Sequence, residues 1–243
     1  MPNLRVLQLI SSGYDHVMPW CPPGVVVCNA PTLRAQSTAE AAVTLMLISL
    51  NDVYDWFTVQ NDKRWQWLPP RQCLASKSVL LVGYGSVGKQ IEAMLSGFGV
   101  DIVRVARRAR PGVYESDQLR MHLPTADVVV LALPLDETTF ELFDQSVFAA
   151  MKPGALLVNV SRGQIVDTTA LVDALRVRRI RAALDVTDPE PLPDEHPLWT
   201  APGVVISPHV GGNPAHLPAR ARRFVSEQIA RFARGEDLEF RVS

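Results

Sequence analysis

SVLLVGYGSVGKQIEAML, residues 78–95, decides the fold. Residues 79–82 are Val and Leu throughout, as expected of a parallel strand covered on both faces. Gly83-Tyr84-Gly85-Ser86-Val87-Gly88 then matches GxGxxG, and the residues from 87 to 97 read as a helix. In that setting Gly83 permits a tight turn, Gly85 lets a pyrophosphate approach the backbone, and Gly88 lets the helix lie close to the strand. The first amides of the helix then face the phosphates. The competing reading is a glycine-rich turn without a ligand; the strand before it and the helix after it favour a dinucleotide site.

Downstream the same alternation continues. Strands are expected at 102–105, 128–133, 155–160, 181–186 and 204–206, with helices at 145–151 and 168–177. The order implies βαβ units and an α/β fold built on a doubly wound parallel sheet. Upstream, 5–10 and 25–28 read as two more strands. Residues 37–59 read as one long helix with Ala41, Leu45, Ile48 and Tyr54 among its apolar positions and Ser37 or Thr38 as cap. Pro69-Pro70 ends a Trp-rich stretch, in which Trp65 and Trp67, like Trp199 further on, are expected to be buried in an interface. Residues 218–235 form a docking helix with Ala221, Phe224, Val225, Ile229 and Phe232 on one stripe.

The 243 residues carry 24 basic and 25 acidic side chains, a net charge of −1, which argues against a nucleic-acid partner. At 47% hydrophobic and 20% charged the chain can bury a sizeable core. Cys21, Cys28 and Cys73 lack the spacing of zinc or redox pairs, so no metal site is expected and a reducing cytoplasmic setting fits. No leader-like start and no membrane-length apolar run are seen, so the expectation is a soluble protein without membrane contact.

A strand-end Asp or Glu about 20 residues past the glycine turn would accept the ribose hydroxyls of NAD. Here the strand runs into Ala106-Arg107-Arg108 instead. A small residue followed by two guanidinium groups suits a 2′-phosphate, which favours NADP(H) with NAD(H) as the alternative; the competing reading is a solvated basic turn. Three further groups fall at strand ends, where open α/β sheets bind ligands: Arg162 in NVSRG, Asp185 and Glu190 in LDVTDPEP, and His209 in SPHVGG. Arg can clamp a carboxylate and polarise a carbonyl, His can supply a proton near neutral pH, and a Glu beside it favours the imidazolium. Singly, each has an ordinary structural reading: a turn cap, a solvated loop charge and a satisfied edge histidine.

SSGYDHV, CNAP, STAEAAV, GYGSVG, LPLDETT, MKPGALLVNVSRGQIVDTTAL, ALDVTDPEPLPDEHPLW and SPHVGG together resemble the D-isomer-specific 2-hydroxyacid dehydrogenases. The resemblance implies a Rossmann dinucleotide domain at 30–212 and a smaller, flavodoxin-like substrate domain at 1–29 and 213–243. It implies catalysis by Arg162, Glu190 and His209, with the Ser12 and Gly13 amides, Arg162 and His209 on a 2-oxo or 2-hydroxy acid. Asp185 would hold the nicotinamide carboxamide, while Pro134, Thr139 and Ser161 would lie along the cofactor. The helix at 37–59 would contribute to a homodimer interface. Ala106 departs from the family's usual Asp, as in its NADP-preferring members. The chain also opens at the segment leading into SSGYD, so the earlier βα units of the substrate domain are expected to be missing and turnover to be weak or absent.

The expected activity is reduction of a small 2-oxo acid such as glyoxylate or hydroxypyruvate. The alternatives are a dinucleotide-responsive, corepressor-like binding protein and an inactive truncated paralogue. Formate dehydrogenases, which are related, carry an amide where Glu190 stands.

Overall fold

A computed structural model describes residues 3–242. β1 (Val6–Gln8) and β2 (Val26–Cys28) form a separate two-stranded parallel sheet. The main sheet has seven parallel strands: β3 (Ser78–Val82), β4 (Asp101–Ala106), β5 (Tyr114–Glu115), β6 (Val128–Leu131), β7 (Leu156–Asn159), β8 (Arg181–Leu184) and β9 (Val204–Ile206). Their order is β5-β4-β3-β6-β7-β8-β9. The direction of winding reverses between β3 and β6, which opens a crevice at the carboxyl ends of those strands.

Alternate residues along each strand feed opposite cores. Val79, Leu81, Val128, Val130 and Val158 pack with buried residues of α1 (Ala35–Leu50) and α3 (Ser86–Leu95). Leu80, Val82, Val129, Leu131 and Leu157 face α5 (Gln145–Ala150) and α6 (Thr168–Arg176). This coverage of both faces is why the strands read as continuous Val and Leu. The strands expected at 128–133 and 181–186 each end two residues earlier, where the chain leaves the sheet to build site loops. The short edge strand β5 and the four-residue helix α4 (Leu119–His122) carry too little pattern to have been anticipated.

The single helix expected at 37–59 is two. α1 starts at Ala35, and the Ser37 hydroxyl donates back to the Arg34 carbonyl rather than capping. α1 stops at Asn51-Asp52 and α2 (Val53–Asn61) follows. Asp52 sits at φ 46° with its carboxylate held by Arg181 and Arg71, and the Asn51 amide donates to the Leu47 carbonyl at 3.0 Å. Leu45 is buried as expected, but Ala41 and Ile48 are half-buried and Tyr54, on α2, is exposed. The Trp-rich stretch after α2 has no regular structure, with Trp65 and Trp67 largely exposed and Trp199 half-exposed.

α7 (Leu217–Ala233) docks through Leu217 and Ala221 onto Ala30 and Leu33. The expected stripe continues only as far as Phe224 and Val225. Ile229 and Phe232 face outward, and Gln228 is buried in their place because its amide joins Gln8 of β1 at 2.7 Å and the Glu239 carbonyl at 3.0 Å. No helix among the described residues is long and apolar enough to cross a membrane.

Candidate active site

The glycine turn is built as its spacing requires. Gly83 stands at φ 98°, and a Cβ on it would come within 2.2 Å of the Ala132 carbonyl oxygen. A Cβ on Gly88 would meet the Gly83 carbonyl oxygen at 2.4 Å, so only glycine lets α3 close on β3. Around the Cβ position of Gly85 there is open space, at the N-terminus of α3, with Ser86 and Val87 half-buried behind it. An anion placed there would meet backbone amides and the positive end of a ten-residue helix. The cradle therefore fits a pyrophosphate.

Tyr84 is fixed by neighbours that the motif alone does not show. Its ring lies 5.7 Å from the Arg104 and 5.5 Å from the Arg110 guanidinium carbon, and its carbonyl accepts from Arg110 at 2.6 Å. Glu92 accepts from Arg104, and that bond, with the Tyr84 hydroxyl, holds the Glu92 carboxyl below its ordinary value; the same carboxylate pushes the Tyr84 phenol up. At the end of β4, Ala106 lies in register with Glu115 of β5. Arg107 pairs with Asp136 of the loop after β6, whereas Arg108 makes no ion pair among the described residues. Donation from the Thr138 hydroxyl, and then from its amide and Arg107, keeps the Asp136 carboxyl below its ordinary value despite partial burial.

Two expected cofactor contacts turn inward. The buried Thr139 hydroxyl donates to the Pro134 carbonyl and accepts from the Asp136 amide, both at 2.8 Å, closing its own loop beside the exposed Pro134. The Ser161 hydroxyl donates to the Leu131 carbonyl at 2.7 Å and ties the ends of β6 and β7 together. Asp185 is likewise occupied. Its carboxylate, 3% exposed, accepts from the Ser207 hydroxyl at 2.6 Å and from the Val210 and Gly211 amides at 3.0 Å. Its carbonyl accepts from the His209 amide at 2.8 Å. Asp185 thus shapes the 207–211 loop and holds His209 at φ 54°, outside the usual range for a side-chain-bearing residue.

That loop brings His209 Nδ1 to 2.5 Å from Glu190 Oε1. Both side chains are nearly half-exposed, so the pair stands at the surface, in the loops that follow β8 and β9, rather than in the core. Arg162, after β7, donates through Nε and Nη2 to Asp15 at 3.3 and 3.2 Å and through Nη1 to the Ser161 carbonyl at 2.8 Å. Its guanidinium rests on Gly13, where a Cβ would stand 1.7 Å from Nη2. The loop beneath it is pinned from one side. Asn29 donates to the Ser12 carbonyl at 2.7 Å, the Ala30 amide to the Ser11 carbonyl at 2.9 Å, and the Ser11 hydroxyl to the Gly13 carbonyl at 2.8 Å. The Ser12 and Gly13 amides donate to no acceptor among the described residues.

Sequence reasoning missed the buried Asn29 and Asn159, which donate respectively to Ser12 and to the Arg162 carbonyl, and it missed Asp15. It also missed Arg34, whose guanidinium bridges the Ile10 and Gly212 carbonyls at 3.1 and 2.6 Å. Asn29, Asp15 and Asn159 carried a signal, through their places in CNAP, SSGYDHV and NVSRG; Arg34 carried none.

Residues 43–211 match the profile described as D-isomer specific 2-hydroxyacid dehydrogenase, NAD binding domain. The chain is 30% identical over 251 residues to a glyoxylate reductase of Thermococcus gammatolerans, covering 97% of this chain and 75% of that protein. Its identity to glyoxylate/hydroxypyruvate reductase B of Klebsiella pneumoniae is 34% over 226 residues, covering 87% and 69%. Among solved structures, the NADPH-dependent glyoxylate/hydroxypyruvate reductase of Sinorhizobium meliloti, in complex with NADP and sulfate, superposes with a TM-score of 0.87 at 27% identity. That superposition covers 100% of this chain and 79% of that one.

Proposed function

The chain belongs to the D-isomer-specific 2-hydroxyacid dehydrogenase family, and from that premise we propose that it reduces a small 2-oxo acid, of the glyoxylate or hydroxypyruvate kind, to the D-2-hydroxy acid with NADPH. When bound at the glycine turn, the nicotinamide cofactor supplies the hydride. Gly83 to Gly88 would hold its pyrophosphate, and Arg107 and Arg108 would take the 2′-phosphate beside Ala106. Glu115, in register with Ala106, is engaged in a helix cap, and Asp136, paired with Arg107, in the Thr138 turn, which supports the phosphate reading.

The substrate carboxylate is received by the free Ser12 and Gly13 amides and by Arg162, whose charge also polarises the carbonyl. As the carbonyl carbon gains the hydride, charge builds on its oxygen, and the protonated His209 ring gives that oxygen its proton. Glu190, against Nδ1, orients the ring and leaves Nε2 to donate. The contact between His209 and Glu190 carries this reading, because a binding protein has no use for an acid held in one tautomer by a carboxylate. Oxidation of NADPH in the presence of glyoxylate, followed at 340 nm alongside a titration of cofactor binding, tests it. Tight binding without turnover would favour the dinucleotide-responsive binding protein or the inactive truncated paralogue.

The same reading assigns residues 1–29 and 213–243 to a substrate unit and 30–212 to a dinucleotide unit, supported by the separate β1-β2 sheet. It also assigns the arm formed by α2 and the Trp-rich stretch to a homodimer interface, with Tyr54, Trp56, Phe57, Trp65 and Trp67 as its exposed apolar surface. Sedimentation of the wild type against the Trp65→Ser/Trp67→Ser variant tests the dimer.

A further inference from the structure

Resting on the reading that the 11–15 loop and Arg162 receive the substrate carboxylate, we propose that Asp15 is the positioning residue for Arg162. It grips the guanidinium along the Nε–Nη2 edge and leaves one hydrogen on each Nη atom to the substrate.

A guanidinium offers five N–H donors arranged in two kinds of bidentate edge: Nε with one Nη, and the two Nη atoms together. Asp15 takes the first edge, with Oδ2 on Nε and Oδ1 on Nη2. The Ser161 carbonyl takes one hydrogen of Nη1. One N–H on Nη1 and one on Nη2 remain, and the Nη2 hydrogen lies on the end edge. Two acceptors from different parts of the chain, Asp15 in the N-terminal loop and Ser161 after β7, therefore fix both the plane of the group and the edge it presents.

The loop supplies matching donors. In a trans peptide the N–H points away from the preceding C=O. The Ser11 and Ser12 carbonyls are both drawn toward Asn29 and Ala30, so the Ser12 and Gly13 amides point away from those residues. Gly13 is also where Nη2 rests, and a side chain there would expel the guanidinium. Two amide hydrogens and two guanidinium hydrogens are thus left over in one small region, which is the donor set a 2-oxo acid needs. Both members of the ion pair are only a quarter exposed, so solvent does not dominate the pairing. Without Asp15, the long Arg162 side chain would have to be ordered by the substrate itself.

A different role makes the opposite prediction. If Asp15 were a stand-in for the substrate, occupying Arg162 until displaced, its removal would tighten anion binding. The experiment titrates oxalate, a non-reducible analogue, into the NADPH-saturated chain by calorimetry and measures glyoxylate kinetics. It uses the wild type, Asp15→Asn, Asp15→Glu, Arg162→Lys and the Asp15→Asn/Arg162→Lys double variant. Asp15→Asn should weaken oxalate binding and raise KM roughly ten- to a hundredfold. Its kcat should fall less, and NADPH affinity should stay unchanged. Asp15→Glu should recover part of the loss. In the Arg162→Lys background, Asp15→Asn should add nothing, because the residue acts only through the arginine.

Tighter oxalate binding, unaltered kinetics or fully additive losses would each overturn the proposal while leaving the reductase reading intact. A wild type that neither binds oxalate nor oxidises NADPH would overturn that reading and this proposal with it. Should Asp15→Asn not fold, Asp15→Glu carries the comparison, since it keeps the charge but displaces the grip by a methylene; wild-type oxalate affinity and KM in that variant would then count against the proposal.

Discussion

His209 reaches Glu190 only because its own backbone is turned left-handed, and Asp185 holds it so. His209→Gln keeps the bulk and a hydrogen bond but removes the transferable proton. Turnover with glyoxylate should fall by about two to four orders of magnitude while cofactor affinity is kept; near-wild-type turnover would remove His209 from the proton-donor role. Asp136 bears on the cofactor in a comparable way. Its carboxylate is paired with Arg107 and, kept ionised by Thr138, opposes a 2′-phosphate. Asp136→Asn should tighten NADPH relative to NADH by roughly three- to tenfold, the scale of one exposed charge pair, and fluorescence titration of both cofactors measures it. Conversely, Ala106→Asp with Arg107→Ala should move preference toward NADH. The pair His209–Glu190 was legible because both residues follow strands that read clearly as Val, Leu and Ala runs. Asp15 on Arg162 was not, since its partner is 147 residues away and a single chain carries no record of which distant charges meet.

Elements show the same division between local and remote causes. The strand–turn–helix at 78–95 is dictated locally, by β-branched residues and by glycines whose added Cβ would clash. The break between α1 and α2 is not: apolar spacing runs through it, and what stabilises the left-handed Asp52 is capture by Arg181, from β8, and Arg71. A second remote carboxylate fastens the amino ends of the strands. Asp127 accepts from the Ser78 amide at 3.0 Å and from Lys152 at 2.8 Å, with Lys77 at 4.0 Å, joining β3 and β6 at the floor of the sheet. Burial raises its carboxyl, but Lys152, the Ser78 amide and Lys77 outweigh burial and leave it below the ordinary value. A folded-state value below the unfolded one means stability that is present above the ordinary carboxylate range and is lost as pH falls through the folded value. Asp127→Asn should therefore lower the melting temperature at neutral pH, by about 2–4 °C for a loss near 1 kcal/mol. The gap from wild type should close in acid. Parallel melts from pH 7 down to pH 3 check the sign, and a constant gap would show that the charge is not what matters.

At the scale of the whole molecule, the open cradle at Gly85 couples cofactor to stability. At a hundred times its Kd, NADPH should add about 2.7 kcal/mol, which for a chain of this size is roughly 5–10 °C of melting temperature. NADH at the same concentration should add less, and equal shifts would count against the assignment of Ala106-Arg107-Arg108 to a 2′-phosphate. The α/β alternation announced six of the seven strands of the main sheet, all but β5, because each parallel strand must be followed by a crossover. That the two ends of the sequence meet was implied by the resemblance, but the bonds that join them were not. Gln228 of α7 joins Gln8 of β1, the Asn29 amide donates to the Phe240 carbonyl, and the Val242 amide donates to the Val27 carbonyl. This closure has a consequence for synthesis. As the chain leaves the ribosome, the seven-stranded sheet can complete itself, whereas residues 6–29 must wait for partners translated some two hundred residues later. During that interval the outer edges of β1 and β2 present unpaired backbone and apolar side chains, so this segment needs protection by a chaperone until α7 arrives.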